Sequence, residues 1–133
     1  MASVIHYLEN HDDFVVAYEN LFEFNDDNPW CIFLSRTQLL QSTIQYGSHV
    51  IGLDATFNVS YYKNLSLFAI MARSDGGALP LGYFISSSKN EKAVTIGLTL
   101  FRAAANRELI LNGSLRGSET YSPSAICIDK DEA

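Results

Sequence analysis

The residue pattern predicts an α/β domain built on one mixed sheet. Three observations carry that prediction. Two apolar runs each end on an aspartate, Val50-Ile-Gly-Leu-Asp54 and Ala125-Ile-Cys-Ile-Asp129. Between them lie two further strand-like runs joined by short turns, and then one clear stripe of helical period. The chain has 133 residues, the size of one domain or part of one. Its 47% hydrophobic content is enough for a core and argues against disorder. The formal charge of −6 supplies no electrostatic footprint for nucleic acid. The acid is unevenly spread: residues 1–30 carry Glu9, Asp12, Asp13, Glu19, Glu23, Asp26 and Asp27 with no Lys or Arg, a pattern that fits a solvated face.

Residues 2–10 place Val4, Ile5 and Leu8 on one side of a short helix. Phe14-Val-Val-Ala-Tyr18 and Trp30-Cys-Ile-Phe-Leu34 are rich in β-formers. The turn residues Asn25-Asp-Asp-Asn-Pro29 between them predict a hairpin with a loop of about five residues. Ser35 and Gln38 have capping-box spacing, so a helix over 36–46 is expected, ended by Gly47. The run over 49–57 is nearly all apolar, as in a central strand covered on both faces. Tyr61-Tyr-Lys-Asn64 makes the next turn, and Leu65–Met71 is a second strand. Ser74-Asp-Gly-Gly77 turns into a third, Leu79–Ile85. Pro80 lacks an amide donor, which favours a sheet edge for that strand. Ser88 and Glu91 form a second capping box. Ala93, Ile96, Leu100, Phe101 and Ala104 then mark one face of a helix ending near Asn106. Residues 108–122 read mostly as loop, and Ser124–Ile128 is the fourth strand.

Counted from the strand at 49–57, the first three strands alternate in direction, so the third is parallel to the first. A right-handed helical crossover then returns a parallel fourth strand. If that strand lies beside the first, the order is 3-2-1-4. Asp54 and Asp129 then sit at the same end of neighbours about 4.8 Å apart. Two such carboxylates can share a divalent cation, and hard oxygen ligands suit Mg²⁺ or Mn²⁺. The competing reading is that each aspartate only caps a turn.

The remaining chemistry is sparse. Cys31 and Cys127 are flanked by apolar residues and read as small core residues, with no C-x-x-C or Cys/His cluster to suggest zinc. The start of the chain lacks signal-peptide character, and no run approaches the roughly 18 apolar residues of a membrane helix. No membrane partner is expected, and the chain reads as intracellular and reduced. No Gly-rich phosphate-binding loop follows any strand.

Asp54-Ala-Thr-Phe57 resembles the D-x-T-F signature of Mutator-like (MULE) transposases, and the ordered set around it resembles the same family: Asp75-Gly-Gly77, Leu79-Pro-Leu-Gly-Tyr83, Ser86-Ser-Ser-Lys-Asn-Glu91, a long helix, and Ile126-Cys-Ile-Asp129. The likeness runs over about residues 5–133. It implies an RNase H-like fold and a DDE active site for DNA transposition. Asp54 and Asp129 would be the first two catalytic, metal-binding carboxylates. Two metals would activate water or a DNA 3′-hydroxyl and stabilise the leaving oxygen of an in-line phosphoryl displacement. DNA as partner and a nuclear location are implied by the resemblance alone. Thr56 would lie behind the ligands at most, its simpler reading being a β-branched strand residue. Phe57 is expected in the core. Asp131 and Glu132 are alternative ligands if the register at 129 shifts.

The sequence departs from the family pattern in several ways. The family's third carboxylate, its downstream C-x-x-H type motif and its fifth strand do not occur within these residues. The expected arrangement is therefore a lead-in of helix, hairpin and helix over 1–46, followed by a partial catalytic core over 47–133. The core would stop before the fifth strand, with a sheet edge open to self-association. Such a fragment should be inactive, or nearly so, by itself. The alternatives are a domesticated, non-catalytic interaction or regulatory module of the same descent, and an unrelated α/β binding domain whose aspartates only cap turns.

Overall fold

The computed structural model describes residues 14–20, 28–47, 50–57, 65–74, 76–116 and 119–128, with the side chains of Thr56 and Phe57 excepted. The expected helix over 2–10 and the turn at 61–64 lie outside the described residues. The elements are β1 (Phe14–Glu19), β2 (Cys31–Arg36), α1 (Thr37–Gln41), α2 (Thr43–Gly47), β3 (Val50–Phe57), β4 (Ser66–Ser74), β5 (Gly77–Ser86), α3 (Glu91–Leu111) and β6 (Ala125–Ile128). They form a mixed α/β fold around a six-stranded sheet of order β1-β2-β5-β4-β3-β6.

This six-strand order differs from the expected four-strand sheet by two added strands, while β5-β4-β3-β6 stand as 3-2-1-4 counted from β3. The hairpin β1–β2 extends the sheet beyond β5 through antiparallel pairing of Cys31–Leu34 with Tyr83–Ser86. As a result β5 lies inside the sheet, not at its edge. Pro80 is tolerated because β2 covers only the far end of β5. Pro80 itself is paired with Met71 of β4 next to a register shift, where a missing donor is least costly. At the other end of the sheet, β6 lies beside β3 and parallel to it. The β4–β5 hairpin is tight, with Ser74 opposite Gly77.

Burial alternates along the strands, as a period of two requires. Cys31, Phe33 and Ser35 of β2, Phe84 and Ser86 of β5, Phe68, Ile70 and Ala72 of β4, and Ile51 and Leu53 of β3 are buried. Onto these pack Leu40 of α1 and Phe101, Ala104, Ala105 and Leu109 of α3. Phe33 meets Phe101 at 6.0 Å, and Phe68 stacks on Phe84 at 4.5 Å. Each fully buried ring of this kind is worth about 1.5–3 kcal/mol in apolar transfer. β3 is therefore covered on one face, not two. Val50 is 48% exposed and Asp54 is exposed, because the described helices all pack on the opposite side.

Two capping expectations are corrected. Ser35 stays in β2, where its hydroxyl donates to Leu81 O at 2.6 Å, so it caps nothing. Arg36 holds the N-cap position of α1 but its side chain does not cap the helix, which breaks into two at Ser42, whose hydroxyl donates to Gln38 O. At α3 the cap is Asn90, not Ser88: Asn90 Oδ1 accepts from Ala93 N at 2.9 Å, and Ser88 Oγ accepts from Asn90 N. α3 also runs past Asn106 to Leu111, because Glu108 and Leu109 are buried against the core. A Cβ on Gly97 would collide with the Phe84 ring, so this glycine lets α3 lie directly on β5.

Candidate functional site

The site predicted from sequence sits on β3 and β6. β3 is held on one side by β4, with Leu53 opposite Ile70 and Asp54 opposite Ala69. On its other side the parallel partner β6 pairs Val50 with Ala125, Ile51 with Ile126, Gly52 with Cys127 and Leu53 with Ile128. Asp54 is exposed on the sheet face away from the helices, where its carboxylate can meet a ligand without a desolvation cost. Asp129, with the alternatives Asp131 and Glu132, lies outside the described residues. Asp54 and Asp129 are nevertheless the residues that immediately follow the last described pair, Leu53 with Ile128, in the sequence. Thr56 and Phe57 continue β3, and their side chains are not among those described. Among the described residues, no three of His, Cys, Asp and Glu gather as a metal site. The donor chemistry at Asp54, an exposed hard oxygen, fits Mg²⁺ or Mn²⁺ and does not fit a soft metal.

The cysteines separate. Cys31 is buried, and its thiol donates to Ala93 O at 3.5 Å. Cys127 is exposed, against the expectation of a core residue, because all four residues of β6 are exposed at the sheet's edge.

Sequence reasoning missed the residues that fix the approach to β6. Tyr121 is buried edge-on to Phe101, and its hydroxyl donates to Gly47 O at 2.7 Å. Its backbone N–H donates to Asn106 Oδ1. A lone tyrosine in a polar, Ser- and Pro-containing stretch gives no periodic signal, so nothing in the sequence pattern distinguished it.

No family model, no curated protein and no solved structure matches the chain. No helix among the described residues is long and apolar enough to cross a membrane.

Proposed function

We propose that this chain is part of a MULE-type DDE transposase catalytic domain with an RNase H-like arrangement. In this reading Asp54 and Asp129 are two of the carboxylates that hold divalent metal for DNA strand cleavage and transfer. One observation supports it above the rest: β3 and β6 are parallel neighbours, and each residue of their last described pair is followed in sequence by an aspartate. Extending the ladder by one rung would set the two carboxylates side by side, which is costly for like charges unless a cation lies between them. When bound, Mg²⁺ or Mn²⁺ would supply charge neutralisation and activation of the attacking oxygen. The chain's own contribution would be to present two oxygen donors from neighbouring strands, with Asp54 open to solvent. Such a site has only two of its three carboxylates within these 133 residues, so this polypeptide by itself should cleave no DNA.

The test is Mn²⁺ titration of the protein and of two variants, Asp54→Asn and Asp129→Asn. Either substitution should weaken binding at least tenfold. The stability of Asp54→Asn should stay within about 0.5 kcal/mol of the parent, as at other exposed positions. Unchanged Mn²⁺ affinity in Asp54→Asn would sink the paired-aspartate site.

A second reading, a non-catalytic interaction module of the same descent, is favoured by one feature. The sheet face away from the described helices exposes Tyr18 (46%), Tyr83 (37%) and Val50 (48%), a kind of patch that marks contact surfaces. A stable fold that binds no Mn²⁺ would favour it.

A further inference from the structure

β6 has little of its own to hold it in place. It is four residues long, every one of them exposed, and β3 is its one partner among the described strands. Its sequence Ala-Ile-Cys-Ile is uncharged and nearly repetitive. A slip of one residue would reverse its faces, but a slip of two would keep them and exchange Ile126 with Ile128 at little cost in apolar matching. The ladder alone therefore specifies its register weakly.

Tyr121 supplies what the ladder lacks. Its ring meets Phe101 edge-on at 5.8 Å, its N–H bonds Asn106 of α3, and its hydroxyl bonds Gly47 O at the end of α2. Gly47 stands three residues before Val50 and Tyr121 four before Ala125, and Val50 with Ala125 is the first pair of the ladder. The Tyr121–Gly47 bond thus joins the two segments just before they pair. Room for it depends on Gly47, where a Cβ would lie 3.2 Å from the Tyr121 hydroxyl oxygen and 3.0 Å from Leu81 Cδ1. Burial pushes the Tyr121 hydroxyl well above its ordinary pKa, with Arg102 opposing, so it stays protonated and can donate.

We propose that Tyr121 is a positioning residue, a clamp that sets the register of β6 on β3 and so decides which residue of β6 pairs with Leu53, the neighbour of Asp54. Its functional consequence rests on the paired-aspartate reading above. A slip of two residues would move Ile128, the last described residue before Asp129, roughly 6–7 Å along β3, too great a shift for a shared ion to bridge.

Tyr121→Phe keeps the ring and removes the hydroxyl. Amide hydrogen exchange should then accelerate at Ala125–Ile128 by roughly five- to tenfold, the loss of about one hydrogen bond. Exchange at Phe101 and Ala105 in the middle of α3 should be unchanged. Mn²⁺ affinity, measured well below the melting temperature, should fall at least fivefold. Gly47→Ala, which crowds the same hydroxyl, serves as the second variant and should act in the same direction. Unchanged exchange at β6 in both variants, or equal acceleration in β6 and α3, overturns the clamp. Faster exchange at β6 with unchanged Mn²⁺ affinity overturns the positioning role. If the parent protein binds no Mn²⁺, the paired-aspartate reading fails instead, and exchange at β6 still decides the clamp.

Discussion

Two thiols of one chain sit in opposite environments. Burial pushes the Cys31 thiol above its ordinary pKa, a hydrogen bond with Ser86 opposes this, and the nearby charge of Glu19 adds to it. Cys127 is exposed on β6. Because the thiolate is the nucleophile, an aromatic disulfide reagent at pH 8 should modify one thiol per folded chain, at Cys127, and reach Cys31 only on unfolding. Mass mapping of the modified cysteine checks this. The flanking residues of the two are alike in sequence, and what differs is the strand's place in the sheet. At the start of α3 the residue scale again decides between readings. Asn90 accepts from Ala93 N, whereas Ser88 accepts from Asn90 N outside the helix. Asn90→Ala should therefore cost about 1 kcal/mol, the usual loss of an N-cap. Ser88→Ala should cost less, since it removes only a half-buried hydroxyl that accepts from Asn90 N ahead of the helix. Urea denaturation of the pair distinguishes the observed cap from the capping box the sequence suggested.

α3 was the most legible element, because Ala93, Phe101 and Ala104 of its predicted stripe are indeed buried. Ile96 and Leu100, in the same stripe, are half-buried. Between Ala93 and Phe101 the buried face continues through Gly97, which a reading of apolar periodicity passes over because glycine is a poor helix former. Its value is spatial, since Phe84 occupies the place a methyl would take and is itself stacked on Phe68. Gly97→Ala should destabilise the protein by about 1–3 kcal/mol, the range for overpacking, despite alanine's better helix propensity. A higher melting temperature in that variant would contradict the packing described. The lower end of α3 was not legible. Asn106 looks like a terminus in sequence, yet it lies within the helix and gives its side chain to Tyr121, a contact no local pattern encodes. Ser35 failed as a cap for a similar reason: its hydroxyl is engaged by Leu81 of a distant strand.

For the whole molecule, local strands were readable and their neighbours only partly so. Runs of apolar and β-forming residues and the turn residues between them marked β1 to β5, since composition and turn chemistry are local. The join of β2 to β5 was not readable, because strand pairing across some fifty residues leaves no mark on periodicity. That join makes the hairpin part of the sheet and moves Pro80 away from the sheet's edge. The parallel neighbour of β3 followed from crossover handedness, a topological rule and not a residue pattern. The candidate site is legible only to that extent. Asp54 was singled out and is exposed on β3, while the tyrosine that ties down the approach to β6 went unmarked. The proposed function requires that Asp54 and Asp129 share a cation. The most direct measurement is Mn²⁺-induced paramagnetic broadening in the amide NMR spectrum of the isotope-labelled protein. At substoichiometric metal, broadening should centre on Asp54 and Asp129 together, with Leu53 and Ile128 next. Broadening confined to the acidic residues between Glu9 and Asp27, or no site-specific broadening, would contradict it.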